Sequence, residues 1–146
     1  MRMDFLSSLN ISGSALTAQK LRMDVIAQNI ANAGVTRTEN GGPYRRKMVV
    51  LKSIDGNSFR NEFEKAAKVR VGGVKVENVV EDKSPLVPVY DPSHPDANEE
   101  GYVMMPNVNT AQEMIDMLGA SRAYEANVTA FNATKAMLLK ALEIGR

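Results

Sequence analysis

The chain has 146 residues, of which 44% are hydrophobic, 24% charged and only 5% aromatic, with no Trp. Its 18 basic and 17 acidic residues leave a formal charge of +1, so no global field draws it to nucleic acid or to an anionic membrane. Cys is absent, which excludes structural disulfides and thiolate metal sites and suits either a cytosolic protein or one exported unfolded.

Residues 1–9 lack the continuous apolar run and small-residue cleavage site of a secretory signal. The first predicted element is a helix over residues 5–33. Leu9, Leu16, Met23 and Ile30 recur every seven residues, and Ile11, Ala18 and Val25 form a second apolar stripe nearly opposite. Two stripes predict contact on two sides. Gly13 weakens the first turns, and Gly34 is placed to end the helix in the left-handed conformation.

Residues 36–44 gather Asn40, Gly41, Gly42 and Pro43, a loop by composition. The following Arg45, Arg46 and Lys47 lack the surroundings of a nucleic-acid motif and read as a surface patch for a protein partner or for solvent. Residues 48–51 are an apolar run of strand length. Residues 69–76 read as a two-residue hairpin around Gly72 and Gly73, or as one strand bent at a glycine bulge. Residues 86–90 fit a strand that Pro88 confines to an edge or bulge. Residues 85–106 hold five prolines and read as an extended connector.

The second long helix is predicted from Thr110 to about residue 144. Thr110 and Glu113 have the spacing of a capping box. Met117, Tyr124, Phe131 and Leu138 repeat the seven-residue ladder, over a predicted length of roughly 50 Å. The fold class is therefore α+β: terminal helices pair as a coiled-coil-like hairpin around a small β-rich middle. The segments are 1–36, 37–106 and 107–146, the two ends forming one helical core. No stretch approaches the length of a transmembrane span.

Asn29, Asn32, Asn127 and Asn132 sit on helices where amides are poor fillers of free surface, which points to bonds across a close interface. The one histidine, His94, lies near Asp91, Asp96, Glu99 and Glu100. A hydrolase or metal enzyme centred on Asp91, His94 and Asp96 is one reading of that segment. A solvated loop of Asp-Pro and Pro-Asp turns is the better one, with no catalytic, cofactor or metal site. A cytosolic helical-hairpin adaptor is a further alternative.

Residues 12–32 (SGSALTAQKLRMDVIAQNIAN) resemble the N-terminal motif of the bacterial flagellar axial proteins, the rod, hook and hook-associated subunits. Residues 113–127 (EMIDMLGASRAYEAN) resemble their C-terminal motif. Three stretches resemble the proximal rod subunits in particular: residues 36–46 (TRTENGGPYRR), residues 90–109 with their HPD segment, and the ending LEIGR. Another axial rod or hook subunit is the nearest alternative. The resemblance implies a non-enzymatic subunit of the rod within the periplasm. It would be made in the cytoplasm and exported by the flagellar type III apparatus without signal cleavage. Implied partners are further copies, the other proximal and distal rod proteins, and the export-gate junction protein FliE. The implied packing surface is carried by Leu9, Leu16, Met23, Ile30, Ile11, Ala18, Val25, Met117, Tyr124, Phe131, Leu138, Asn29, Asn32 and Asn127.

Overall fold

Two long helices stand at the ends of the chain. The structure, a computed structural model, describes residues 2–39, 41–54 and 72–144, with side-chain environments for 7–39, 41–54 and 72–143. Helix α1 is Arg2–Ala31 and helix α2 is Thr110–Ile144. Asn29, near the end of α1, touches Glu113, near the start of α2, and the helices pack along their length. They are therefore antiparallel, in the predicted hairpin.

Both helix ends differ in detail from the sequence pattern. Gly34 is not left-handed: among the described residues the positive-φ glycines are Gly41, Gly42, Gly73 and Gly101. Turn bonds instead satisfy the carbonyls of Ile30 (from the Ala33 N–H, 3.3 Å) and Asn32 (from the Val35 N–H, 3.1 Å), so α1 ends without a left-handed glycine. At α2 the cap is Asn109, not Thr110. Its Oδ1 accepts the N–H groups of Ala111 at 3.1 Å and Gln112 at 3.2 Å. Asn is as good a cap as Thr, and using it frees the Glu113 carboxylate to turn inward.

Strands β1 (Lys47–Ser53) and β2 (Val74–Glu81) form an antiparallel ribbon, Lys47 opposite Glu81 and Ser53 opposite Val74. The register jumps between Val50 and Leu51, leaving Glu77 as the extra residue of a bulge. β1 contains the predicted strand 48–51. Of the predicted hairpin, Val74–Val76 is the start of β2, while 69–71 lies outside the described residues, as does the polar stretch 55–68.

The ribbon packs on α1 on a side that α2 leaves open. Ile11 lies over Gly72, and the Ser14 hydroxyl accepts the Val74 N–H at 3.1 Å. Gly73 sits at φ 150°, and a Cβ there would come within 2.8 Å of Ser14 Oγ, so only glycine lets β2 approach the helix so closely. Two of the three residues of the second stripe of α1 are thus covered within the chain, while Ile11 stays 42% exposed. Ala18 and Val25 are 2% and 4% exposed. These two residues hold the subunit together and do not face outward.

The predicted connector 85–106 contains a second ribbon. Strand β3 (Val87–Tyr90) pairs antiparallel with β4 (Tyr102–Met105), Val87 opposite Met105 and Tyr90 opposite Tyr102. Pro88 is tolerated because a two-stranded ribbon has only edges. Tyr90 and Tyr102 meet edge to face, their centroids 5.3 Å apart. The intervening turns are set by side chains. Asp91 Oδ1 accepts the Ser93 N–H and hydroxyl, and Asn98 Oδ1 accepts the N–H groups of Glu100 and Tyr102. The bonds from Ser93 hold the Asp91 carboxyl below the usual carboxylate range.

Candidate functional site

The chain's chemistry is concentrated in a buried polar joint where α1, α2 and β1 meet. Asn29 is 1% exposed, and all four of its hydrogen-bonding positions are used. Its Nδ2 donates to Lys47 O at 2.8 Å and Glu113 Oε2 at 2.9 Å. Its Oδ1 accepts from the Lys47 N–H and the Tyr44 hydroxyl, both at 2.9 Å. Glu113, also 1% exposed, takes the Arg46 Nε–H on its other oxygen at 2.6 Å. Arg46 reaches on to Asp116 at 3.4 Å, and its backbone N–H donates to Asn107 Oδ1 at 2.9 Å. One amide, one carboxylate and one guanidinium therefore fix both helices and the first strand in a single geometry.

This joint accounts for the basic triplet, which the sequence placed on the surface. Arg45 donates to the carbonyls of Asp82 and Ser84. Arg46 closes the joint, and the Lys47 ammonium lies 5.7 Å from the centroid of the Tyr44 ring. The triplet is drawn inward because Glu113, Asp116 and two loop carbonyls need donors there.

Burial, and after it the charges of Glu113 and Glu81, push the Tyr44 hydroxyl above its ordinary value of about 10. A raised folded-state value means that the unfolded chain loses its proton first as pH rises. The contribution is complete below about pH 10 and is lost as pH rises through the folded value. Tyr44→Phe is expected to cost about 1 kcal/mol near neutrality, one hydrogen bond's worth, and to flatten the alkaline fall in stability. Urea titrations of both proteins from pH 8 to 11 check this. Parallel alkaline curves would disprove it.

The residues of the enzyme reading do not converge. Asp91 is turned to Ser93. His94 Nδ1 accepts the Asp96 N–H at 3.1 Å, so the ring serves as a turn acceptor. Asp96 accepts the Thr36 hydroxyl at 2.8 Å and lies 3.8 Å from the Arg37 guanidinium, pinning the β3–β4 loop to the segment after α1. Among the described residues, no three His, Cys, Asp or Glu side chains are grouped to hold a metal ion. No described helix is long and apolar enough to cross a membrane.

The packing residues singled out from the sequence divide into four groups. Leu9, Leu16, Met23, Ile30, Met117, Tyr124, Phe131 and Leu138 are half-buried in the lone subunit. Ala18, Val25 and Asn29 are enclosed, while Ile11 is 42% exposed. Asn32 and Asn127 bond back to their own helices, at Gln28 O and Ala123 O, each at 2.8 Å. The sequence pattern did not single out Met114, Ile115 and Leu118 on α2, which are 57%, 61% and 60% exposed. They lie off the ladder, and helical periodicity alone gave them no role. Pro88, Tyr90, Tyr102 and Met104 form a second exposed apolar face on the β3–β4 ribbon.

Two family profiles match the chain. One, described as "Flagella basal body rod protein", covers residues 9–37, and the other, "Flagellar basal body rod FlgEFG protein C-terminal", covers residues 99–144. The chain is similar to the flagellar basal-body rod protein FlgC of Bacillus subtilis, 54% identical over 95% of this chain and 97% of that protein. It is similar to the FlgC proteins of Borreliella burgdorferi (46% identical, 97% and 98% covered) and Escherichia coli O157:H7 (42%, 99% and 100%). The two matched segments contain most of the paired helices.

Proposed function

The chain belongs to the flagellar basal-body rod protein FlgC family and is a structural subunit of that rod, and from this premise we propose how it assembles. The subunit polymerises by burying surface that it cannot cover alone. Along α2, Met114, Ile115, Leu118, Met137, Leu139 and Leu142 are each 51–61% exposed, an apolar surface that the lone chain leaves uncovered. This is the observation that carries the reading.

In this reading the terminal segments 1–36 and 107–146 act as one helical unit, and residues 37–106 face outward. The half-buried ladders complete their burial against neighbouring subunits. Contacts between different patches do not close on themselves, so they generate a helical filament. Torque is then shared among many packed helices. The subunit works in the periplasm, as a copy among copies and beside the other rod proteins, with FliE below. It arrives unfolded through the type III apparatus without signal cleavage, a route with which a cysteine-free chain is compatible. It performs no catalysis.

Phe131 tests the assembly. Half-buried in the lone subunit, its truncation to Ala is expected to cost the free protein about 1–2 kcal/mol, against about 3–5 kcal/mol for a fully enclosed Phe. Phe131→Ala cells are expected to express the subunit normally and to be non-motile. Full motility would overturn the assignment of Phe131 to the packing surface.

A further inference from the structure

We propose that the β3–β4 ribbon of one subunit seats on the first turns of α2 of a second copy. The proposal rests on the polymerising role above and names one of its contacts.

Val103 is the one buried residue of the two strands: it is 2% exposed, beside the chain's own segment around Thr36 and Pro43, which Tyr102 and Met104 also line, while Val87 and Val89 on its side are 51% and 41% exposed. The register places Pro88 beside Met104 and Tyr90 beside Tyr102, all on the other side, and all four are exposed. Among the described residues neither β3 nor β4 packs on a helix, so this face is not covered by the chain's own α2. The exposed ridge of α2 is Met114, Ile115 and Leu118, followed one turn later by the exposed Arg122.

Length and charge match the two surfaces to each other. A four-residue strand spans about 13 Å, and the nine residues from Met114 to Arg122 span about 13.5 Å. At the end of the ribbon next to the tyrosines lie the exposed Glu99 and Glu100. Laid along the ridge, Met104 falls near Met114, the tyrosine pair near Leu118, and the two glutamates near Arg122. Because the contacting patches differ, each copy still offers a free ribbon and a free ridge. The contact therefore propagates and does not close into a pair.

The absence of cysteine allows a direct test. Tyr102→Cys and Leu118→Cys chains are co-expressed, basal bodies are isolated, and a short bismaleimide is added. The expected product is a mixed dimer that neither variant forms alone. In addition, Arg122→Glu should abolish motility, and Glu99→Lys with Glu100→Lys in the same chain should restore it. Basal bodies that contain both cysteine chains without the mixed dimer would overturn the contact and leave the rod role standing. So would a Leu118→Cys homodimer, or cross-links to another protein only. If the cysteine chains fail to assemble, the charge reversal decides: motile Arg122→Glu cells, or no rescue, also overturn it. A wild-type chain absent from basal bodies of motile cells would overturn the rod role itself.

Discussion

Asn29→Asp is expected to destabilise the free subunit by about 3–5 kcal/mol, a large part of the 5–15 kcal/mol that holds an ordinary domain together. The substitution changes one atom and almost no volume, so packing does not enter. Aspartate still accepts from Tyr44 and from the Lys47 N–H. It cannot donate, and the two donations of Asn29, to Lys47 O and to Glu113 Oε2, are lost. A buried carbonyl is left unpaired, and two carboxylates face each other at the 2.9 Å now bridged by a hydrogen bond. Arg46 holds only the far oxygen of Glu113 and, being one-quarter exposed, is partly screened.

The same substitution should make stability depend on pH. Repulsion and burial push the introduced carboxyl above its unfolded value of about 4. The folded variant then holds a proton that the unfolded chain releases first. Its stability is best below about pH 4 and is lost as pH rises through the folded value. Thermal melts of Asn29→Asp and wild type at pH 4.5 and pH 7.5 should show a deficit that narrows at the acid end. Asn29→Ala loses all four bonds without adding charge and should show no such narrowing. A melting temperature for Asn29→Asp within a degree of wild type at pH 7.5 would contradict the joint's role.

Asn29 also marks how far the sequence could be read. An amide at its position on a helix demanded an explanation, and that demand was legible. Its partners were not, because Tyr44 and Glu113 lie 15 and 84 residues away. Periodicity says which residues share a face and not what stands opposite. For the same reason the Ile11, Ala18 and Val25 stripe was visible as a second contact side, while its cover was assigned to another molecule. At the start of α2 the spacing of Thr110 and Glu113 pointed to a capping box, whereas Asn109 caps the helix. Arg46 and the buried Asn29 decided, by claiming the carboxylate. Strand β4 was hidden by composition. Its four residues sit between a glycine and a proline in a proline-rich stretch, where alternation is too short to register. The helices, their antiparallel pairing and the family resemblance were all legible, because long periodic patterns and long motifs carry more information than four-residue strands.

Ala120→Leu and Gly119→Ala, at adjacent positions, are expected to act in opposite directions on the free subunit. Ala120 is 2% exposed and lies on the seam of α2, between Met117 and Tyr124. A small residue there sets how closely the helix axes approach, and a larger one must force them apart. Overpacking of this kind costs about 1–3 kcal/mol where neighbours can adjust. Here adjustment is resisted from both ends, by the Asn29–Glu113 joint and by the rest of the ladder. Ala120→Leu should therefore fall at the upper end of that range and abolish motility, because misplaced ladders cannot match a neighbour's. Ala120→Ser adds a single oxygen and should be tolerated. At Gly119 an added Cβ would meet nothing within 4 Å of the lone chain. Gly119→Ala should thus stabilise the free subunit by up to about 1 kcal/mol through helix propensity. The exposed backbone at Gly119 lies beside Leu118, on the surface that neighbouring subunits would cover. Melting curves and swimming rates should then part company: Gly119→Ala more stable yet less motile, Ala120→Leu impaired in both. A Gly119→Ala strain that swims as well as wild type would show that no neighbour approaches α2 closely at that turn.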